Sequence, residues 1–262
     1  MILIVEREDL EVFSFIFGCI FGSFLNLLII RLPQNLSCVT PRSYCPSCKK
    51  QIAWYHNIPL FSYLFLKGKC AYCSEKISPQ YFIVELISGV LTLFLFLKVS
   101  LSLELLYALI FFYTLITLSF IDFKYKAVPD YLLLIAFIFS FFVSSYNLIE
   151  MFKNAFLFSG GFVILNFLLT FYIQNIKARI KKDESLKEQE ALGEGDIPII
   201  AAIGVILGVK GALVAIFLSA FFAIIPAIYF SLVKKDIQTP YIPYLSLGLI
   251  VEYFFNISKV FY

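Results

Sequence analysis

The sequence has little charge and almost no histidine. Charged side chains make up only 15% of its 262 residues, whereas a soluble domain has about 25%. The single histidine, His56, excludes an HExxH metalloprotease and any other site that needs two histidines. A Ser–His or Cys–His pair would have to use His56, which is far in sequence from any buried nucleophile. The GxGxxG and P-loop motifs are also absent, so the usual nucleotide-binding loops are missing.

Apolar residues take the place of the missing charge. They account for 61% of the chain, and the mean hydropathy is +0.89. A helix needs about 20 apolar residues to cross a membrane, and most of the nearly uncharged runs are that long. The runs are 12–30, 79–97, 105–121, 131–149, 154–176, 197–209, 211–233 and 237–251. This pattern predicts an all-α, polytopic membrane helix bundle of about eight transmembrane helices, of which 197–209 is the weakest candidate because it is short.

The distribution of basic residues predicts the orientation. With the N-terminus external, 16 of the 21 Lys and Arg residues fall in internal loops and 5 fall outside. Such a bias is typical of the positive-inside rule, so we expect both termini to be external. The net charge of +3 then follows from the membrane topology and does not call for nucleic acid. The charged residues within 1–11 are four acidic ones and a single Arg7, whereas a signal peptide begins with basic residues. We therefore expect the first run to be retained as a helix rather than removed as a signal peptide.

Residues 32–78 form a polar loop on the predicted inner side, rich in proline and cysteine. Two pairs, Cys45-Pro-Ser-Cys48 and Cys70-Ala-Tyr-Cys73, have the spacing of a tetrahedral Zn²⁺ site. The alternatives are two local disulfides or free buried thiols, although a reducing cytoplasm disfavours disulfides. With four protein ligands the metal would have no open position for chemistry, so we expect a structural role.

Carboxylates at the edges of membrane spans are costly and therefore suggest function. Asp122 ends the third run and Asp196 begins the sixth, so the predicted topology places both at the inner membrane edge. Two close carboxylates do not both ionise easily; one keeps a proton and the other stays charged. Such a pair can activate water and protonate a leaving group without a covalent intermediate.

These carboxylates also have ordinary structural explanations. Asp196 precedes Ile197-Pro198, and Asp130 follows a proline at the start of a run, so either residue could be a helix N-cap. Asp122 could mark the membrane boundary. Glu85 and Glu252 are more typical of polar partners within a bundle. The residues alone leave these alternatives open.

An ordered series of motifs runs along nearly the whole chain. It comprises Gly22-Ser23-Phe24-Leu25-Asn26, Ile30-Arg31-Leu32-Pro33, both CxxC pairs, His56-Asn57-Ile58-Pro59-Leu60, Lys67-Gly68-Lys69-Cys70, Ser78-Pro79-Gln80-Tyr81, Val84-Glu85-Leu86, Ile121-Asp122, Pro129-Asp130, Gly193-Glu194-Gly195-Asp196 and Ile242-Pro243-Tyr244. In this order the motifs resemble those of the bacterial type IV prepilin peptidase family, whose GxGD motif is shared in outline with presenilin-like proteases.

The resemblance implies a specific activity. Asp122 and Asp196 would be the catalytic aspartates, and Asp130 would not. The substrates would be type IV prepilins and type II secretion pseudopilins, cut after a Gly between a basic leader and an apolar helix. Many members also methylate the new N-terminus with S-adenosylmethionine, and the cysteine loop marks these bifunctional members. One departure is Pro198, which stands where the family often has Lys after GxGD.

Together these features predict three segments and a cellular location. They are a first transmembrane helix at 1–31, a cytoplasmic four-cysteine zinc module at 32–78 and a transmembrane peptidase domain at 79–262. Within the last, the charged segment 177–196 is expected to be a helical extension and linker. The protein would lie among the lipids of the bacterial inner membrane, with its active site at the cytoplasmic face. Two alternatives remain: a non-enzymatic transporter with a zinc-binding cytoplasmic module, and a peptidase without methyltransferase activity.

Overall fold

The structure is a computed structural model that describes residues 7–181, 184, 193–229 and 240–261. Half of the charged segment 177–196, and the predicted internal residues Lys234 and Lys235, lie outside this range. Apart from two isolated β-bridges, the regular secondary structure of the described residues is helical, with no longer strand among them. The chain divides into two compact units, Met1–Thr117 and Leu118–Tyr262.

The first unit contains two long helices, a short one and most of a fourth. The helices are α1 (Arg7–Arg31), α2 (Phe61–Phe65), α3 (Gln80–Val99) and α4 (Leu103–Tyr125), and α4 continues into the second unit. Short 3₁₀ turns at Leu32–Gln34 and Trp54–Asn57 lie in the loop between α1 and α3.

Small residues bring α1 and α3 into close contact. A Cβ on Gly18 would lie 2.5 Å from Thr92 Oγ1, and one on Gly22 would lie 2.7 Å from Glu85 Cα. A Cβ on Gly89 would meet Cys19 Sγ, so Cys19 packs in the interface as a small buried residue. Close approach through small residues is typical of membrane helix pairs.

The second unit contains the remaining helices, most of which pack against α8. They are α5 (Asp130–Val143), α6 (Leu148–Phe171), α7 (Ala178–Lys181), α8 (Asp196–Tyr229), α9 (Ile242–Phe255) and α10 (Ser258–Phe261), with a π-helical turn at Tyr172–Lys177. Buried side chains of α6 and α8 form a common core, flanked by two phenylalanines of α5. The core residues are Met151, Ala155, Ala201 and Val205, with Phe137 and Phe141 packed against them.

Helix α8 is broken at Gly208, which has φ 67° and ψ −174°. This backbone conformation favours glycine, because a Cβ would be strained there. The hydroxyl of Tyr146 donates to the Leu207 carbonyl oxygen (3.2 Å) and the hydroxyl of Ser144 donates to that of Val205 (2.6 Å). The loop between α5 and α6 thereby satisfies carbonyls that the break leaves without a helical partner.

Five of the helices in the described residues are long and apolar enough to cross a membrane. They lie at Glu8–Gln34, Gln80–Val99, Leu103–Tyr125, Leu148–Ile180 and Asp196–Ile228. Helices α5 and α9 are apolar but shorter. An all-helical bundle is therefore confirmed, whereas the count of eight transmembrane helices remains a prediction.

The predicted run 131–149 extends beyond the helix that it contains. Helix α5 ends at Val143, because the chain becomes extended at Ser144 and Asn147 caps the next helix by accepting the backbone N–H of Glu150 (2.9 Å). The run was drawn by the absence of charge, and Ser144-Ser145-Tyr146-Asn147 at this boundary are polar but uncharged. Charge therefore does not reveal the boundary, whereas an Asn at an N-cap does.

Candidate active site and metal centre

Asp122 lies one turn before the end of α4 and is only 8% exposed. Its Oδ2 accepts the backbone N–H of Ile242, the first residue of α9, at 3.2 Å. The backbone N–H of Tyr241 interacts with the same carboxylate. The N-terminus of a helix presents backbone N–H donors that have no partner within the helix. The start of α9 therefore supplies hydrogen-bond donors to the buried carboxylate of Asp122.

Asp196 is the first residue of α8 and is 6% exposed. A tight turn precedes it, in which the Asp196 N–H donates to the Gly193 carbonyl oxygen at 3.2 Å. The backbone N–H of Gly193 in turn interacts with the Asp196 carboxylate. A Cβ on Gly195 would lie 3.1 Å from Val128 Cγ2, so the second glycine of the GxGD motif lets the turn approach the chain that leads into α5.

The carboxylates of Asp122 and Asp196 interact electrostatically within the second unit. The two residues are 74 positions apart in sequence, yet the fold brings their buried carboxylates close enough for the charge of Asp122 to act on Asp196. Two neighbouring carboxylates away from bulk water are the arrangement that shares a proton and can supply an acid and a base together. This pair is therefore the candidate active site.

The other candidate carboxylates have structural partners or lie at the surface. Glu85 accepts the backbone N–H of Leu60 at 2.8 Å and interacts with the Ser23 hydroxyl. Glu252 accepts the backbone N–H of Ser258 at 3.1 Å, which links α9 to α10. Asp130 is exposed in the first turn of α5.

The four cysteines of the CxxC pairs converge in the first unit. The Sγ atoms of Cys45, Cys48, Cys70 and Cys73 all lie within 4.8 Å of one another, and those of Cys45 and Cys73 are 3.8 Å apart. Metal–sulfur bonds of about 2.3 Å in a tetrahedron give sulfur–sulfur distances of about 3.8 Å. The cluster therefore fits a tetrahedral metal ion.

Two matching turns hold these thiols. Cys45 N–H donates to the Lys50 carbonyl oxygen and Cys70 N–H to that of Glu75, at 3.0 and 2.8 Å. Backbone N–H donation, first of all from Cys48, lowers the pKa of the Cys45 thiol to about 6, whereas burial and the neighbouring thiols raise the pKa of Cys73 to about 12. The four thiols therefore do not ionise alike without a cation between them, and a metal requires all of them as thiolates. All six cysteines of the chain lie in its described part, and none of them forms a disulfide, so the alternative of local disulfides finds no support.

The sequence did not predict the side-chain hydrogen bonds that hold α9 and the residue before it close to Asp122. The Ser119 hydroxyl donates to that of Ser246 at 2.9 Å, and Tyr241 shares a 3.1 Å hydrogen bond with Ser219. The proline of Ile242-Pro243 does signal a helix start. The hydrogen bond from Ile242 to Asp122, however, joins residues 120 positions apart, and no local pattern predicts such a contact.

The fold and the buried carboxylate pair define a multi-pass membrane protein with a candidate aspartic site. Residues 16–99 match the model of the bacterial peptidase A24 N-terminal domain, and residues 109–228 match the type IV leader peptidase family. The chain belongs to the type IV leader peptidase family.

Curated relatives cover most of the chain. The prepilin leader peptidase/N-methyltransferase of Vibrio cholerae is 33% identical over 79% of this chain and 80% of its own length. Proteins of the same name from Bacillus subtilis and Legionella pneumophila are 30% and 28% identical, and each match covers 94% of this chain and 94% and 91% of the respective relative. These relatives do not favour the transporter alternative. No solved structure is significantly similar to the chain.

Proposed function

We propose that this protein is a prepilin leader peptidase and N-methyltransferase. It would cut the basic leader from type IV prepilins and pseudopilins, and then methylate the new N-terminal residue. The observation that carries the proposal is the interaction of two buried carboxylates, Asp122 and Asp196, in a chain that belongs to the leader peptidase family.

Asp122 and Asp196 would act as one catalytic unit. The ionised carboxylate takes a proton from water while the water oxygen attacks the scissile carbonyl carbon. The protonated carboxylic acid gives its proton to the substrate as the peptide bond breaks, so that the amine leaves neutral. The pair shares one proton before and after the reaction, and the coupled titration belongs to the pair rather than to either residue.

The proposed site is at the cytoplasmic edge of the bacterial inner membrane, with both chain termini external. A prepilin has a basic leader followed by an apolar helix. If that helix lies in the membrane and the leader in the cytoplasm, then the scissile bond lies at the inner edge. Asp122 lies one turn from the end of α4 and Asp196 begins α8, so both carboxylates are at helix ends, as cleavage there requires.

Zinc is the metal we propose for Cys45, Cys48, Cys70 and Cys73. Four thiolates saturate tetrahedral Zn²⁺, so the ion would hold the turns of the loop together and take no part in the chemistry. S-adenosylmethionine would supply the methyl group to the new N-terminal amine. We assign it no binding residues, because no methyl-donor motif is visible in the sequence.

The decisive experiment is mass spectrometry of a pilin co-expressed with the protein. The proposal expects a chain cut after the leader glycine and heavier by one methyl group. An uncut pilin would contradict the peptidase, whereas a cut but unmethylated pilin would leave the peptidase and contradict the transferase.

Single substitutions test the assignment of the carboxylates. Asp122→Asn and Asp196→Asn should each abolish cleavage. An amide is nearly the same size as a carboxyl group, but it can neither take up nor release the proton that the pair shares. Asp130→Asn is the matched control: Asp130 is an exposed aspartate in the same unit, and its variant should cut normally. Cleavage by either Asp122→Asn or Asp196→Asn in membrane-inserted protein would refute the pair.

A further inference from the structure

The loop between α1 and α3 exposes several large apolar side chains on one short stretch. They are Trp54, Tyr55, Ile58, Phe61, Leu64 and Phe65, here called the aromatic surface. Trp54 is 79% exposed and Phe65 81%. Four of the six, Tyr55, Ile58, Phe61 and Phe65, line an open groove of about 410 Å³. A contiguous exposed surface of this kind marks a docking site rather than scattered surface residues.

Helix α3 fixes the level of the aromatic surface. The backbone N–H of Leu60, just before α2, donates to Glu85 Oε2 at 2.8 Å. The Tyr63 ring of α2 packs against the Phe82 ring of α3 at 5.5 Å. Glu85 lies five residues after Gln80, where α3 begins, which corresponds to about 7–8 Å along a helix. The interfacial layer on each side of a bilayer is about 5–8 Å thick.

Both ends of the loop are held at the start or end of a candidate membrane span. Helix α1 ends at Arg31 and α3 begins at Gln80, and the two helices pack side by side in the first unit. If α1 and α3 cross the membrane, the loop between them stays at the membrane surface. The face of α2 that does not contact α3 is then turned towards the surroundings of α3 at that surface.

The charge around the aromatic surface suits anionic lipid. Residues 32–74 contain no Asp or Glu. The exposed side chains of Lys67 and Lys69 lie two and four residues after Phe65. Aromatic residues concentrate at membrane–water interfaces, and basic residues next to them are attracted to anionic headgroups.

We propose that the aromatic surface is inserted into the headgroup region of the adjacent membrane leaflet and anchors the cysteine-rich loop there. The occupant of the groove is then lipid. The apolar helix of a pilin is the competing occupant. Lipid is favoured because the contacts with α3 hold α2 close to the start of a candidate membrane span, and because the exposed Lys67 and Lys69 suit anionic headgroups.

Trp54 is the only tryptophan in the chain, so its fluorescence reports on this surface alone. The full-length protein is reconstituted into phosphatidylethanolamine–phosphatidylglycerol vesicles, with and without bromine on the acyl chains close to the glycerol. The proposal expects brominated lipid to remove most of the Trp54 emission, and aqueous iodide to remove little, before any pilin is added.

Two results would overturn the proposal. One is full quenching by iodide with none by brominated lipid, which would place Trp54 in water. The other is protection from iodide only after a pilin with its leader is added, which would make this a substrate-docking surface.

Substitutions separate the aromatic surface from the rest of the loop. Phe61→Ser combined with Phe65→Ser should shift Trp54 emission to the red and reduce quenching by brominated lipid. Val39→Ser is the matched control, because Val39 is an exposed apolar residue of the same loop outside the aromatic surface, and it should leave Trp54 unchanged. Unchanged quenching in the double variant would contradict anchoring by these side chains.

Discussion

At the residue scale, each candidate centre depends on backbone donors as much as on its named side chains. Asp122 receives the N–H that begins α9, and Cys45 is bonded by the backbone of its own turn. In both places a group that can carry negative charge lies where the chain has N–H groups without helical partners. The local fold therefore prepares the chemistry that the side chains supply.

The cysteine cluster leads to a prediction for metal content. Cys45→Ser or Cys70→Ser should lower bound zinc from about one ion per chain to near zero, because a tetrahedral site loses one of its four thiolates. Leader methylation should weaken as well, since the family resemblance ties this loop to the bifunctional members. Metal analysis of purified protein and pilin mass spectrometry measure the two effects.

Cys38→Ser provides the matched control for these variants. Cys38 lies in the same loop, but it is not part of the four-thiol cluster. Its substitution should leave one zinc per chain. Full zinc in Cys45→Ser, or wild-type methylation in a variant without metal, would contradict the prediction.

At the element scale, α9 is the helix that links packing to the site. It crosses α8 closely at Gly248, which has no side chain. A Cβ at this position would lie only 2.2 Å from the Ala215 carbonyl oxygen. The hydrogen bond between Ser119 and Ser246 fixes its position against the end of α4. Its first N–H then reaches Asp122, so a shift of α9 changes the surroundings of the carboxylate.

Gly248→Ala should therefore destabilise the protein and slow cleavage together. The added methyl group meets a backbone atom that cannot rotate away, and overpacking of this kind costs about 1–3 kcal/mol. Thermal unfolding in detergent measures the loss of stability, and leader cleavage measures the displacement of α9.

Gly160→Ala is the matched control in α6. A Cβ there has no neighbour within 4 Å, and alanine is favoured over glycine in a helix by up to about 1 kcal/mol. It should be neutral or slightly stabilising and cut normally. Equal effects of the two substitutions would show that the close crossing at Gly248 does not hold α9.

The sequence predicts most of the elements, because apolar runs and motif spacing are local properties. The spacing of the CxxC pairs predicted the four-thiol cluster, and the charge at Lys210 separated two runs close to the break at Gly208. The run 131–149 extended past the end of α5, because Ser144 to Asn147 are uncharged although polar, and Asn147 caps the next helix. The donors to Asp122 were missed, since they depend on how α9 packs against α4. Such packing between distant segments cannot be predicted from the local sequence of either one.

At the scale of the whole molecule, charge rather than packing determines the direction of insertion. The bias of 16 basic residues to 5 between the two predicted sides favours one orientation of every span. Because α4 carries Asp122 near its C-terminal end, the orientation of this helix also decides the leaflet at which the proposed site lies. Topology and function are thus tested together at α4.

Two introduced cysteines should report opposite sides of the membrane. Leu101 and Ala127 are exposed residues on either side of α4, and the predicted topology places Leu101 outside and Ala127 inside. A membrane-impermeant maleimide should label Leu101→Cys in intact cells and Ala127→Cys only after lysis, with the unsubstituted protein as the background control. The reverse pattern would put Asp122 at the external face, away from the leader of a prepilin that awaits processing in the cytoplasm. Labelling of both positions in intact cells would mean that α4 does not cross, and the candidate site would lose its place at the membrane edge.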